Sequence, residues 1–132
     1  MLKYLLDTNI VIYVIKQRPM VALGRFNREH GHMAVSSITL AELIHGAEKS
    51  NNPPRSLAVV EDFISRLVVL PYGDKAAWHY GSIRSGLENI GMSIGVNDLH
   101  IAAHARSEGL TLVSNNVHEF ERVPGLVLDN WV

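Results

Sequence analysis

Apolar residues in this chain fall into short blocks separated by polar ones, and the spacing within the blocks alternates between two kinds. Residues 2–6 form a compact apolar segment that predicts a short buried strand. Residues 9–16 predict a helix, ended or broken at Arg18-Pro19, because the residue before proline is held out of the α region. Residues 21–29 predict a second helix and 33–36 a second strand. Residues 37–47 are helical, with Ser36 or Ser37 as N-cap. The stretch Ser50-Asn51-Asn52-Pro53-Pro54 marks a loop that ends one helix and opens another. Leu57, Val60, Ile64 and Leu67 recur at spacings of three and four, which predicts a helix over 55–66.

The second half repeats the alternation. Residues 68–70 predict a third strand, and 74–90 a long helix weakened by Gly81 and Gly86. A helix starts at Asn97 or Asp98 and runs to about 107, with Gly109 as its stop. Residues 110–114 predict a fourth strand, 117–121 a short helix and 126–128 a last strand. Strands alternating with helices imply an α/β sandwich with a mostly parallel sheet. Such sheets bind ligands beyond the carboxyl ends of their strands. Asp7 directly follows the first strand, and Asn115 and Asn116 follow the fourth.

Composition narrows the picture. The 132 residues suit one domain, 1–132, with a sizeable core. The absence of cysteine excludes disulfides, zinc–thiolate sites and thiol nucleophiles. No apolar run approaches the roughly 20 residues that span a bilayer. The start also lacks the features of a signal peptide. A cytoplasmic protein with no membrane partner is therefore expected. A net charge of −1 announces no nucleic-acid binding, although a local basic surface is compatible with it.

Three acids stand in unusual places. Asp98 shares a helix face with Ile101, Ala102 and Ala105, so it faces the interior. A carboxylate there must be paired, hydrogen-bonded or bound to metal; the plainer alternative is an N-cap. Asp7 ends a strand and has the same alternative. Glu42 projects nearly opposite the apolar stripe Leu40, Leu43, Ile44 and Ala47, and matters only if that outer face borders a cleft. Clustered carboxylates bind hard divalent cations such as Mg²⁺. His100 and His104 are four residues apart, a possible metal pair, but no His-Glu-x-x-His pattern accompanies them. P-loop, Gly-x-Ser-x-Gly and dinucleotide fingerprints are absent. Trp78 and Trp131 form no stacking pattern.

Assembled, these residues make the sequence resemble the PIN-domain ribonucleases, specifically the VapC toxins of type II toxin–antitoxin pairs. The segments YLLDTNIVIYVIK, SSITLAELIHGAEKS and IGVNDLHIAAHARSEGLTLVSNNVHEFERVPGL carry the resemblance, in family order over nearly the whole chain. The resemblance implies a PIN-like three-layer sandwich. It places metal-binding acids on Asp7, Glu42 and Asp98. Many members carry a fourth acid after the Val-Ser/Thr strand end, where this chain has Asn116. Glu119, one turn on, is the candidate substitute. Thr8 and Asn9 are the implied supporting groups.

The implied activity is a Mg²⁺- or Mn²⁺-dependent endoribonuclease. A divalent ion lowers the pKa of water and offsets phosphoryl charge, for in-line attack that leaves 5′-phosphate and 3′-hydroxyl ends. RNA selectivity then comes from shape and fit. The implied substrate is structured RNA, with transfer RNA cut in the anticodon region, including initiator tRNA, as the favoured class. The implied partners are a VapB-type antitoxin, operator DNA through that antitoxin only, and a second copy of the chain. Translation and growth would be inhibited. Lys16, Arg18, Arg25, Arg28, Arg84 and Arg106 are candidates for a phosphate path.

Rival readings are a PIN nuclease of RNA processing outside any toxin pair, and a degenerate, non-catalytic PIN binding module. A phosphatase using Asp7 as nucleophile needs a second aspartate two residues on, where Asn9 stands.

Overall fold

Leu5 and Leu6 are both fully buried, yet they belong to different cores. Successive strand residues point to opposite faces, so a strand buried twice over must lie between two layers. Ala34 against Met33 and Val35, and Leu112 against Val113, repeat the division. Each fully buried Leu or Val contributes about 1.5–3 kcal/mol relative to exposure.

The computed structural model describes residues 1–132. The strands are β1 (Tyr4–Leu6), β2 (Met33–Ser36), β3 (Val68–Leu70), β4 (Thr111–Val113) and β5 (Leu128–Asp129). They pair in the order β3-β2-β1-β4-β5, parallel throughout rather than mostly so. The helices are α1 (Thr8–Lys16), α2 (Met20–Arg28), α3 (Ser37–Glu48), α4 (Pro53–Ile64), α5 (Asp74–Asn89), α6 (Val96–Glu108) and α7 (Val117–Phe120). One face of the sheet meets Ile83 and Leu87 of α5 and Leu99, Ile101 and Ala102 of α6. The other meets Ile10 and Val14 of α1, Phe26 of α2, Leu43 of α3 and Phe63 of α4. The expected three-layer sandwich is the architecture found.

Local chemistry sets the boundaries. Ser36 is the N-cap of α3, accepting from Ile38 N–H at 3.1 Å. α4 opens two residues earlier than its periodicity predicts, because Asn52 caps it and prolines fit the first helical turn. Gly109 ends α6 at φ 67°, a left-handed position that glycine takes without strain. The expected last strand, 126–128, forms further on, at Leu128–Asp129. Trp131 is 2 % exposed, packs edge-on against Tyr4 and lies under the Arg25 guanidinium.

Candidate active site

In the β1–β4 pair Leu6 lies opposite Val113, and the Asp7 N–H donates to the Val113 carbonyl at 2.9 Å. The residues that follow, Asp7 and Ser114, are therefore neighbours. Ser114 is fully buried, and its Oγ donates to Asp7 Oδ2 at 2.8 Å and accepts from Asn116 N–H at 2.9 Å. Asp7 Oδ1 accepts from Thr8 N–H at 2.9 Å, so Asp7 also serves as the N-cap of α1. Burial raises its carboxyl pKa above the usual range. The Ser114 and Thr8 bonds pull it down, and the negative charges of Glu42 and Glu119 push it up.

Thr8 lies on the first turn of α1 and reaches α3. Its Oγ1 donates to Glu42 Oε1 at 2.9 Å and lies 3.2 Å from Thr39 Oγ1. A hydroxyl carries one proton and a carboxylate is the stronger acceptor, so the Thr39 hydroxyl turns to donate to Thr8.

Asp98 is not an N-cap. α6 begins at Val96 behind Gly95, and Asp98 lies in its first turn, half-buried. Its carboxyl faces that of Glu119 within hydrogen-bonding reach. Burial, the hydrogen bond to the Glu119 side chain, and the charges of Asp7, Glu119 and Glu42 raise the Asp98 pKa to about 7. Asn116 Nδ2 donates to Glu119 Oε2 at 3.1 Å and so steadies that acid.

The structure thus brings together Asp7, Thr8, Glu42, Asp98, Asn116 and Glu119. Asn9 is not among them: it is exposed and its side chain makes no hydrogen bond, because the helical rotation from Thr8 turns it outward. Ser114 and Thr39 belong to the cluster and were not candidates from sequence. Both are fully buried polar residues. The signal for Ser114 lay in strand pairing, that for Thr39 in its position one turn before Glu42 on α3.

No lysine or arginine pairs with any of the four acids. Uncompensated, closely placed carboxylates fit a hard cation, and the donors here are oxygens only. As the side chains stand, no three acids surround a common point at ligating distance. Mg²⁺ usually takes one or two carboxylates directly and keeps several waters, so this oxygen-only donor set fits it, and Asp7, Glu42, Asp98 and Glu119 are the acids that would hold it.

Other candidates have different roles. His100 Nδ1 bonds the Tyr72 hydroxyl at 2.8 Å, and its ring stacks on Tyr80. His104 is buried with Nδ1 2.7 Å from Ser36 Oγ. Both rings are thus engaged separately, with pKa values lowered by burial, and they are not a metal pair. Arg25 pairs with Asp129 at 3.4 Å beside Trp131, and Arg106 binds His79 and the Pro124 carbonyl. Arg84 binds the Tyr80 hydroxyl and Glu88. Of the six basic candidates, only Lys16, Arg18 and Arg28 stand exposed without partners.

A groove of about 400 Å³ opens from the cluster between α1, α3 and α4. Thr8, Glu42, Ile12 and Ala47 are among its lining residues, and Lys16 and Arg55 supply positive charge.

The PIN-domain family model matches residues 4–126. Ribonuclease VapC2 of Haemophilus influenzae is 64% identical over 132 residues, covering 100% of both chains. The tRNA(fMet)-specific endonuclease VapC of Shigella flexneri is 53% identical over 131 residues, covering 99% of both. Among solved structures, the chain superposes on one from the DNA-bound VapBC of Salmonella typhimurium with a TM-score of 0.96 and 53% identity, covering 100% of both chains.

Proposed function

The chain belongs to the PIN-domain family, and we propose that Asp7, Glu42, Asp98 and Glu119 are the acids with which it cuts RNA. It is an endoribonuclease of the VapC type, the toxin of a toxin–antitoxin pair. The reading of the site rests on one observation above the others. Four acids, one directly after β1 and one each on α3, α6 and α7, converge at the carboxyl edge of the sheet with no cation paired to them.

A divalent ion, Mg²⁺ or Mn²⁺, supplies activation of water and neutralisation of phosphoryl charge. The protein's own groups do the positioning. Ser114 and Thr8 N–H fix both oxygens of Asp7. Thr8 Oγ1 fixes Glu42, and Asn116 fixes Glu119 against Asp98. Burial and the neighbouring acids hold the Asp98 pKa up near 7, and Asp98 is one of the acids that would hold the ion. Asn116 is a positioning residue, and Glu119 supplies the fourth acid. That set argues against a degenerate binding module.

The substrate is structured RNA, and the initiator tRNA cut by the Shigella relative is the first to test. The partner is a VapB-type antitoxin, with operator DNA bound through it; the DNA-bound VapBC complex of Salmonella supports that reading. The groove beside Glu42 suits an antitoxin segment with apolar side chains and an acidic group for Lys16 or Arg55. Residues 1–132 act as one PIN domain, as a homodimer in the cytoplasm.

The experiment is cleavage of purified tRNA by the wild type with Mg²⁺, with EDTA, and by Asp7→Ala. Cleavage is expected only in the first. Equal cleavage in all three overturns the reading. Growth arrest relieved by the co-expressed antitoxin and abolished by Asp98→Ala places the activity in a toxin pair; arrest that persists in Asp98→Ala removes it.

A further inference from the structure

α3 and α6 carry two of the four acids, Glu42 and Asp98, and the Glu42 charge is felt at Asp98. One side-chain hydrogen bond joins the start of α3 to α6. His104 of α6 places Nδ1 2.7 Å from Ser36 Oγ, and both residues are fully buried. The bond has a definite direction. Ser36 Oγ already accepts the Ile38 N–H as the N-cap of α3. If Nδ1 carried the proton, the Ser36 hydroxyl hydrogen and a bare Nε2 would both lack a partner. With the Ser36 hydroxyl donating to Nδ1, only the Nε2–H is left over. The second arrangement satisfies more groups, so His104 is the neutral Nε2–H tautomer.

Packing alone does not call for this ring. A leucine would fill the space with no buried nitrogen left unpaired, and a serine N-cap needs no histidine. What the ring adds is a fixed Ser36 hydroxyl. From there Ser36, Thr39 and Glu42 follow at intervals of three, and residues three apart are neighbours on a helix surface. His104 holds the first, and Thr8 of α1 meets the other two. Tyr72 braces the same end: its N–H donates to Ser37 Oγ at 3.0 Å, and its ring meets His104 edge-on. α3 is thus pinned to α6 at its start and to α1 at the turn that carries Glu42. We propose that His104 is a positioning residue for RNA cleavage: through Ser36 it fixes the start of α3 against α6, and so sets the place of Glu42 relative to Asp98. The proposal rests on the reading above, in which these acids form the site. His104 is buried, so it acts through α3 and not on the RNA itself.

The test sets two variants of the full-length chain against each other. His104→Leu keeps an apolar filling and loses the bond. His104→Asn loses the ring packing but brings an amide oxygen near the place of Nδ1, where it accepts from Ser36. In tRNA cleavage with Mg²⁺, kcat is expected to fall about tenfold in His104→Leu and to recover to within about threefold in His104→Asn, with KM within about twofold in both. The melting temperature is expected to run the other way, lower for the asparagine variant, which leaves a cavity and a buried amide. Activity that follows the melting temperature, or an unchanged kcat in His104→Leu, overturns the proposal. Asp7→Ala in parallel separates the two readings. Wild-type cleavage by it sinks the site reading and the proposal together; its inactivity beside an unchanged His104→Leu sinks the proposal alone. Should neither His104 variant fold, the imidazole ¹⁵N spectra of the wild type and of Ser36→Ala decide. A single Nε2–H tautomer that is lost in Ser36→Ala is expected. A tautomer mixture in the wild type, or no change in Ser36→Ala, overturns the proposal.

Discussion

Ser114 Oγ donates to Asp7 Oδ2 across 2.8 Å, joining the first residues beyond two adjacent parallel strands. Both side chains are buried, and the same hydroxyl accepts the Asn116 N–H. One small group therefore orients the acid that follows β1 and anchors the turn at Asn116 that leads into α7 and Glu119.

Replacing Ser114 by Ala leaves Asp7 Oδ2 and the Asn116 N–H without that partner. A lost bond to a buried charged group costs about 1.5–3 kcal/mol. The bond lowers the Asp7 pKa, so its removal moves that pKa up. The acid limb of the kcat/KM–pH profile is expected to shift to higher pH in Ser114→Ala, with recovery in Ser114→Thr. An unshifted limb means that Asp7 is not held by Ser114 in the working enzyme.

Thr8 gives a second handle. Its hydroxyl is the only side-chain hydrogen bond to Glu42. Thr8→Val keeps the shape and removes the proton. Activity is expected to fall about tenfold, the scale of one hydrogen bond to a charged group, mainly in kcat. Thr8→Ser should retain most of it. Steady-state kinetics at saturating Mg²⁺ decides the matter, and a Thr8→Val enzyme with wild-type kcat removes Thr8 from the site.

The places of Asp7 and Asp98 were legible locally, one at a strand end and the other in line with Ile101 and Ala102, with an N-cap open for each; the structure makes Asp7 the N-cap of α1 and sets Asp98 inside the first turn of α6. Ser114 was not, because its meaning depends on the register of β1 beside β4, a contact between opposite ends of the chain. Asn9, expected as a supporting group, is exposed and makes no side-chain hydrogen bond for the reverse reason. Three consecutive polar residues look like one feature, yet a helix turns about 100° per residue, so Thr8 and Asn9 cannot face the same acids. Arg25, Arg84 and Arg106 show the limit of counting charge: only the fold reveals which guanidinium is already engaged. The sandwich itself was legible because its strands and helices differ in period and its caps are local.

Trp131 lies among Tyr4, Arg25 and Asp129, with its Nε1 donating to Asp129 Oδ2 at 3.1 Å. Trp131→Ala opens a cavity beside β1 and frees Arg25. A loss of about 3–5 kcal/mol is expected, read as a lower denaturant midpoint at unchanged slope. A loss below about 1 kcal/mol would falsify the packing role.

Asp98 makes the opposite prediction. Its pKa rises from 3.8 to about 7 on folding. Between those values the native state holds a proton that the unfolded chain has released, so stability falls as pH rises through this window. The full cost is present above pH 7 and absent below 3.8. Asp98→Asn removes the charge and keeps the shape. A pKa unit corresponds to about 1.4 kcal/mol, and solvent screening at this half-buried site reduces the total to on the order of 1–2 kcal/mol. Asp98→Asn is therefore expected to melt several degrees above the wild type at pH 8, with the gap closing toward pH 4, and to cleave no RNA. Mg²⁺ relieves the same repulsion, so it should raise the melting temperature of the wild type and raise that of Asp98→Asn much less. A variant that is less stable than the wild type at pH 8, or that gains as much from Mg²⁺, means that Asp98 is held by a partner other than a cation.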